Sequence, residues 1–200
     1  DGAVLVGGES ATALDSNLTA ERDLRVIVPL VLAVVLIVLI ILLRAILLPI
    51  LLLLSTVVSF AAAMGVSALV FNGLFNFPGA DPTVPLYGFI FLVALGVDYT
   101  IFLMTRAKEE TPTMGTRKAV LHSLTVTGGV ITSAGVVLAA TFAALSVIPL
   151  MFMVQLAFIV AFGVLVDTFI VRTLLIPGLV TDIGPKVWWP AKQAAKDSSS

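Results

Sequence analysis

Residues 26–43 read VIVPLVLAVVLIVLIILL, a run with no charged residue. A helix that crosses the hydrocarbon core of a bilayer needs about 20 mostly apolar residues. This run supplies almost all of them, and Pro29 near its start falls where a missing N–H costs little. Charge returns on both sides, with Glu21, Arg22, Asp23 and Arg25 before it and Arg44 after it. A helix of a soluble domain keeps a polar face, whereas one that is apolar all round belongs in a core or a membrane.

The pattern recurs four times. Residues 45–71 form a second apolar stretch, 85–105 a third with the single charge Asp98, 119–147 a fourth, and 150–176 a fifth carrying Asp167 and Arg172. Between them, 72–84 contains Asn76-Phe77-Pro78-Gly79 and predicts a loop, the charged segment 107–118 predicts a second loop, and Ile148-Pro149 predicts a tight turn. Pro177 and Gly178 close the last helix. The expected fold is all-α, a polytopic transmembrane bundle of five spans over residues 26–178, followed by a tail over 179–200.

Composition agrees. Of the 200 residues, 60% are hydrophobic and 12% charged, with a mean hydropathy of +1.16. A soluble domain is nearer about 45–50% apolar and about 25% charged, so lipid has to be the solvent here. A net charge of −1 offers nothing to nucleic acid. The chain has no cysteine, which excludes disulfides, thiol catalysis and thiolate metal sites. It starts at Asp1 without a signal-peptide pattern, as expected for a piece of a longer protein.

Cationic residues set an expected orientation, because cytoplasmic loops carry an excess of Lys and Arg. Arg44, Arg106, Lys108, Arg117, Lys118, Lys186, Lys192 and Lys196 all fall on one side, and 72–84 and 148–149 carry none. The N-terminus is then extracytoplasmic and the C-terminus cytoplasmic, with Trp188-Trp189-Pro190 at the inner interface. Residues 1–25 are not a span. Ala3-Val4-Leu5-Val6-Gly7-Gly8 predicts a short strand and 10–25 a helix, too little to bury a core alone. They are expected to end a larger extracytoplasmic α/β domain.

Chemistry concentrates on ionisable residues within the spans. A charged Asp near a helix centre costs about 2.5–3.5 kcal/mol on insertion scales, so such residues usually have a function. Asp98, with Tyr99 beside it and Gly96 allowing another helix close, forms a candidate proton relay. The bland alternative is an Asp held by hydrogen bonds. Asp167 and Arg172 form a candidate coupling pair. Five residues apart, they are not expected to sit above one another as an i, i+4 pair does; an interfacial Arg with a helix-end acid is the bland reading. Gln155 reads as packing. So do the small-residue stripes Ser55, Ser59, Ala63, Ser67 and Gly135, Ala139, Ala143, through which membrane helices approach closely. Thr125, Thr127, Gly128, Gly129, Thr132 and Ser133 make one end of the fourth span small and polar, a face expected to meet Asp98. His122 reads as an interfacial residue.

Four stretches carry a resemblance: Ala20-Glu21-Arg22-Asp23-Leu24-Arg25, Gly96-Val97-Asp98-Tyr99 with Phe102-Leu103, Asp167-Thr168-Phe169-Ile170-Val171-Arg172, and Trp188-Trp189-Pro190. Together they resemble the MMPL family (mycobacterial membrane protein large) of resistance–nodulation–division transporters. Gly96-Val97-Asp98-Tyr99 is the most specific element, and the likeness covers nearly the whole chain. The resemblance implies the second half of a twelve-span, proton-driven exporter of lipids or other hydrophobic compounds in a bacterial plasma membrane. It implies that Asp98 and Tyr99 are its proton relay, and that Asp167 and Arg172 are the acid and base of its last helix. The implied partners are protons, membrane lipids, a hydrophobic cargo and an N-terminal half bearing a second Asp-Tyr pair. No enzyme activity, cofactor, metal or nucleic acid is implied. The competing readings are a sterol-sensing, patched-like or protein-export member of the same superfamily, and an intramembrane aspartyl protease built on Asp98 and Asp167.

Overall fold

The computed structural model of the chain describes residues 9–73 and 81–190, with side chains from residue 14 onward. The expected strand at 3–8 lies outside the described residues. Those described are helical, with no strand among them: α1 Glu9–Leu43, α2 Leu47–Gly73, α3 Val84–Met114, α4 Thr116–Ala144, α5 Met151–Val166 and α6 Ile176–Ile183. A π-helical segment, Asp167–Leu175, joins α5 to α6, and a 3-10 turn, Gly184–Trp188, follows. Five stretches are long and apolar enough to cross a membrane, and Met151–Trp188 forms the fifth as one continuous unit.

Two helices are longer than a bilayer requires. The 35 residues of α1 extend about 52 Å at 1.5 Å per residue, against a hydrocarbon core of about 30 Å. The helix begins in the polar head and runs on into the first span, so Pro29, expected near a helix start, lies in its interior instead. The other is α3, where the loop expected at 107–118 is not formed. Instead α3 continues to Met114 and α4 starts at Thr116, leaving a corner at Gly115 with φ 82° and ψ 158°. The charged segment stays helical because Ala, Lys and Glu are good helix formers, and the Arg106 Nε donates to Glu110 one turn away at 2.8 Å. Glu110 also meets the His122 Nδ1 at 2.7 Å, tying α3 to α4 across the corner.

The centre of the bundle is α5, which packs against α2, α3 and α4, whereas α1 and α4 leave most of their apolar surface uncovered by the rest of the chain. Glycines let α3 approach α5 closely, since a Cβ on Gly88 would meet Ile159 at 3.0 Å and one on Gly163 would meet Leu92 at 2.5 Å. All four members of the α2 stripe (Ser55, Ser59, Ala63, Ser67) are buried, as are Gly135 and Ala139 of α4, while Ala143 is exposed. The buried hydroxyls mostly turn back on their own helices: Thr56 donates to the Leu52 carbonyl, Ser67 to Ala63, Thr100 to Gly96 and Thr127 to Ser123. Close backbone packing rather than hydroxyl bridging therefore brings these helices together.

Trp188 is covered by the chain itself. Its side chain is 0% exposed, in one apolar cluster with Leu39, Leu48, Met104 and Val120, while Trp189 is 62% exposed. At the other end, the Asp81 carboxylate accepts from the Thr83 N–H at 2.9 Å and hydroxyl at 2.6 Å, shaping the start of α3. The Gln155 side chain accepts from the Asp81 N–H at 3.0 Å, which holds that start against α5.

Candidate functional site

The π-helical segment decides the geometry of the last helix. In an α-helix, residues five apart point in different directions. When hydrogen bonds run from i to i+5, such residues lie one turn apart on the same side. Asp167 and Arg172 open this segment and bracket its first turn. The expectation that they do not sit above one another is thus corrected: they form a salt bridge, Arg172 Nη2 to Asp167 Oδ2. The Thr173 hydroxyl repeats the spacing, donating to the Thr168 carbonyl at 2.7 Å.

This pair lies inside the bundle. Arg172 is 1% exposed and Asp167 is buried beside it. The same Nη2 donates to the Gly96 carbonyl on α3 at 2.8 Å, where the Thr100 hydroxyl also donates. Nε and Nη1 of Arg172 have no hydrogen-bond partner among the described residues. Gly96 lies against the pair, since a Cβ there would be in ordinary contact with Asp167 Oδ2 at 3.4 Å and with Thr56 Cγ2 of α2 at 3.7 Å. Both α2 and α3 therefore approach the pair. On the α4 side, Gly135 receives Thr168, whose Oγ1 would lie 2.6 Å from an added Cβ.

Tyr99 belongs to the same constellation. The Arg172 guanidinium carbon is 5.1 Å from the centroid of its ring, within cation–π range. Tyr99 also lines an open cleft of about 440 Å³, together with Ser133, Ala134, Val137 and Thr141 of α4. It thus touches Arg172 on one side and an open, mostly apolar cleft on the other.

Asp98 does not join the salt bridge. Its side chain is exposed on α3, yet near enough to the pair for its charge to act on Arg172. Of the small, polar α4 residues, Ser133 shares a cleft with Tyr99, Thr127 is buried, and Thr125 and Gly129 are exposed. Asp98 and Asp167 do not form the two-carboxylate site of an aspartyl protease, since the Asp167 carboxylate is engaged by Arg172. Sequence reasoning missed Thr168, seated against Gly135, and Thr56, beside Gly96, because neither carries a charge that marks it in an apolar run. Among the described residues there is no group of His, Cys, Asp and Glu suited to a metal ion.

The sequence profile of the MMPL family matches residues 1–199. A membrane protein of Streptomyces coelicolor is 60% identical over 188 residues, covering 94% of this chain and 27% of that protein. An apo-petrobactin exporter of Bacillus anthracis is 40% identical over 191 residues, 96% of this chain and 26% of the exporter. An acyltrehalose exporter of Mycobacterium tuberculosis is 37% identical over 190 residues, 95% of this chain and 19% of the exporter. The chain spans about a quarter or less of the length of these relatives.

Proposed function

The chain belongs to the MMPL family, and we propose that it is the C-terminal membrane part of a proton-driven exporter of lipids or other hydrophobic compounds. In this reading it sits in a bacterial plasma membrane with its N-terminus extracytoplasmic and its C-terminus cytoplasmic. Residues 1–25 complete an extracytoplasmic domain, and an N-terminal half supplies the remaining spans. The observation that carries the reading is the buried Asp167–Arg172 pair with Tyr99 against it. A transport protein driven by protons needs an ionisable cluster inside the membrane whose charge alters how its helices pack. Here α5, through Asp167 and Arg172, meets α3 at Gly96 and Tyr99, so a change of charge acts on both helices at once.

Asp98 and Tyr99 are the proposed proton relay, with Asp167 and Arg172 as the coupling pair. The uncovered side chain of Asp98 suits a position where the N-terminal half packs. Each proton falling through ~100 mV supplies about 2.3 kcal/mol, so a few such steps can draw an acyl chain out of its leaflet. Two relatives are exporters, one of apo-petrobactin and one of acyltrehalose, which supports a large, partly apolar cargo. The test is Asp98→Asn in the full-length protein, with export and proton uptake followed in membrane vesicles. Both are expected to cease while the protein still inserts. Unchanged export by that variant rules out the relay.

A further inference from the structure

From Arg172 the chain continues through the π-helical segment, α6 and the turn Gly184–Trp188, and then docks against the turn between α1 and α2. The docking is specific. The Trp189 carbonyl accepts from the Ile46 N–H at 2.8 Å, which caps the start of α2 in the turn after α1. The Val187 and Trp188 side chains are both 0% exposed. They share a cluster with Leu39 and Leu43 of α1, Ala45 of the turn, Leu48 of α2 and Val171 of the π-helical segment. The indole Nε1 makes no hydrogen bond among the described residues, so Trp188 is held by shape and apolar contact. The turn it closes is conformationally constrained, with Arg44 at φ 48°. Beyond that turn, α1 stays helical back to Glu9, with Pro29 inside it.

We propose that residues 184–189 act as a mechanical link that carries displacement of the Asp167–Arg172 segment to the α1–α2 turn and, along α1, to the extracytoplasmic head. Trp188 is its positioning residue and the Trp189–Ile46 hydrogen bond its clasp. The physical basis is rigidity. A close-packed apolar cluster transmits strain rather than absorbing it, and α1 continues as helix from the turn to the head. Residues 184–188 pack on α2, α4 and α6, so they join the end of the last helix to the turn after α1. The inference rests on the proton-coupled reading above.

The test uses the full-length protein in vesicles of phosphatidylethanolamine and phosphatidylglycerol, with an environment-sensitive fluorophore on Ser16→Cys at the outer end of α1. An imposed pH jump is expected to change its fluorescence in the otherwise native protein. Trp188→Ala is expected to lose most of that change, and Trp188→Phe to keep most of it. A disulfide between Ile46→Cys and Trp189→Cys is expected to restore it in the Trp188→Ala background. A second variant leaves the indole docked but slackens the link, by inserting two glycines between Ile183 and Gly184, and the response is expected to fall there too. No response in the otherwise native protein overturns the proton-coupled reading itself. A native response that persists in both Trp188→Ala and the glycine insertion overturns the link alone. So does a lower melting temperature with an undiminished response, which makes Trp188 purely structural.

Discussion

Asp167 and Arg172 stand one turn apart on the same side of a π-helical segment, salt-bridged to each other inside the bundle. The arrangement depends on the i→i+5 pattern, since an ordinary α-helix would turn the two side chains apart. It also depends on the α3 backbone, because the Gly96 carbonyl takes the second bond from Arg172 Nη2.

Removing one member of this pair leaves the other buried without its counter-charge. Arg172→Met alone is expected to destabilise the full-length protein by about 3–5 kcal/mol, the usual cost of breaking a buried pair. Asp167→Leu combined with Arg172→Met is expected to recover much of that stability while remaining inactive in export. Denaturant unfolding in detergent, run as a double-mutant cycle, measures both. A double variant as unstable as the single one shows that the two charges do not stabilise each other.

Tyr99 offers a ring to Arg172 and a hydroxyl to the proposed relay, and substitution separates these. Tyr99→Phe is expected to keep the cation–π contact and the melting temperature but to lose export. Tyr99→Ala is expected to lose export and, in addition, about 0.5–2 kcal/mol of stability. Equal melting temperatures for the two variants would show that the ring contributes nothing to holding Arg172.

Gly135 has no room for a side chain, because an added Cβ would lie 2.6 Å from Thr168 Oγ1 and 2.9 Å from its Cγ2. Gly135→Ala is expected to cost about 1–3 kcal/mol by overpacking α4 against the π-helical segment. Adding Thr168→Ala removes the two nearest atoms and leaves its Cβ at 3.1 Å, so the melting temperature is expected to recover in large part. Failure of that rescue would mean the collision is relieved by movement of α4.

The corner between α3 and α4 turns on Gly115, at φ 82° and ψ 158°. That region is essentially confined to glycine, and other residues pay about 1–3 kcal/mol there. Both Gly115→Ala and Gly115→Asn are expected to lower the melting temperature. Asn is not expected to rescue, because its preferred left-handed conformation has a different ψ. A fully stable Asn variant would show that the corner can adopt another turn.

The number of spans was legible because hydropathy is local. Residues 26–43 cannot be solvated by water whatever surrounds them, and the other four stretches follow the same logic. Local charge misled at 107–118, where polarity suggested a loop although Ala, Lys and Glu are equally at home in a helix that projects past the bilayer. The candidate site was half legible. Asp98, Tyr99, Asp167 and Arg172 stand out as polar groups in apolar runs, but their pairing does not.

What the sequence alone determined is which segments lie in the membrane, where charge interrupts them, and which family they belong to. Only the tertiary structure decided which faces meet. Lipid tails are as apolar as leucine, so hydropathy cannot distinguish a side chain facing lipid from one facing another helix. Trp188 illustrates the point: its indole suits an interface equally well, yet packing places it wholly inside. The π-helical segment illustrates it again. Nothing in Asp167-Thr168-Phe169-Ile170-Val171-Arg172 requires an i→i+5 pattern by local propensity. The buried salt bridge, the Gly96 carbonyl and Thr168 seated on Gly135 are what accompany it, and each is a contact between residues distant in sequence or brought together by the turn itself.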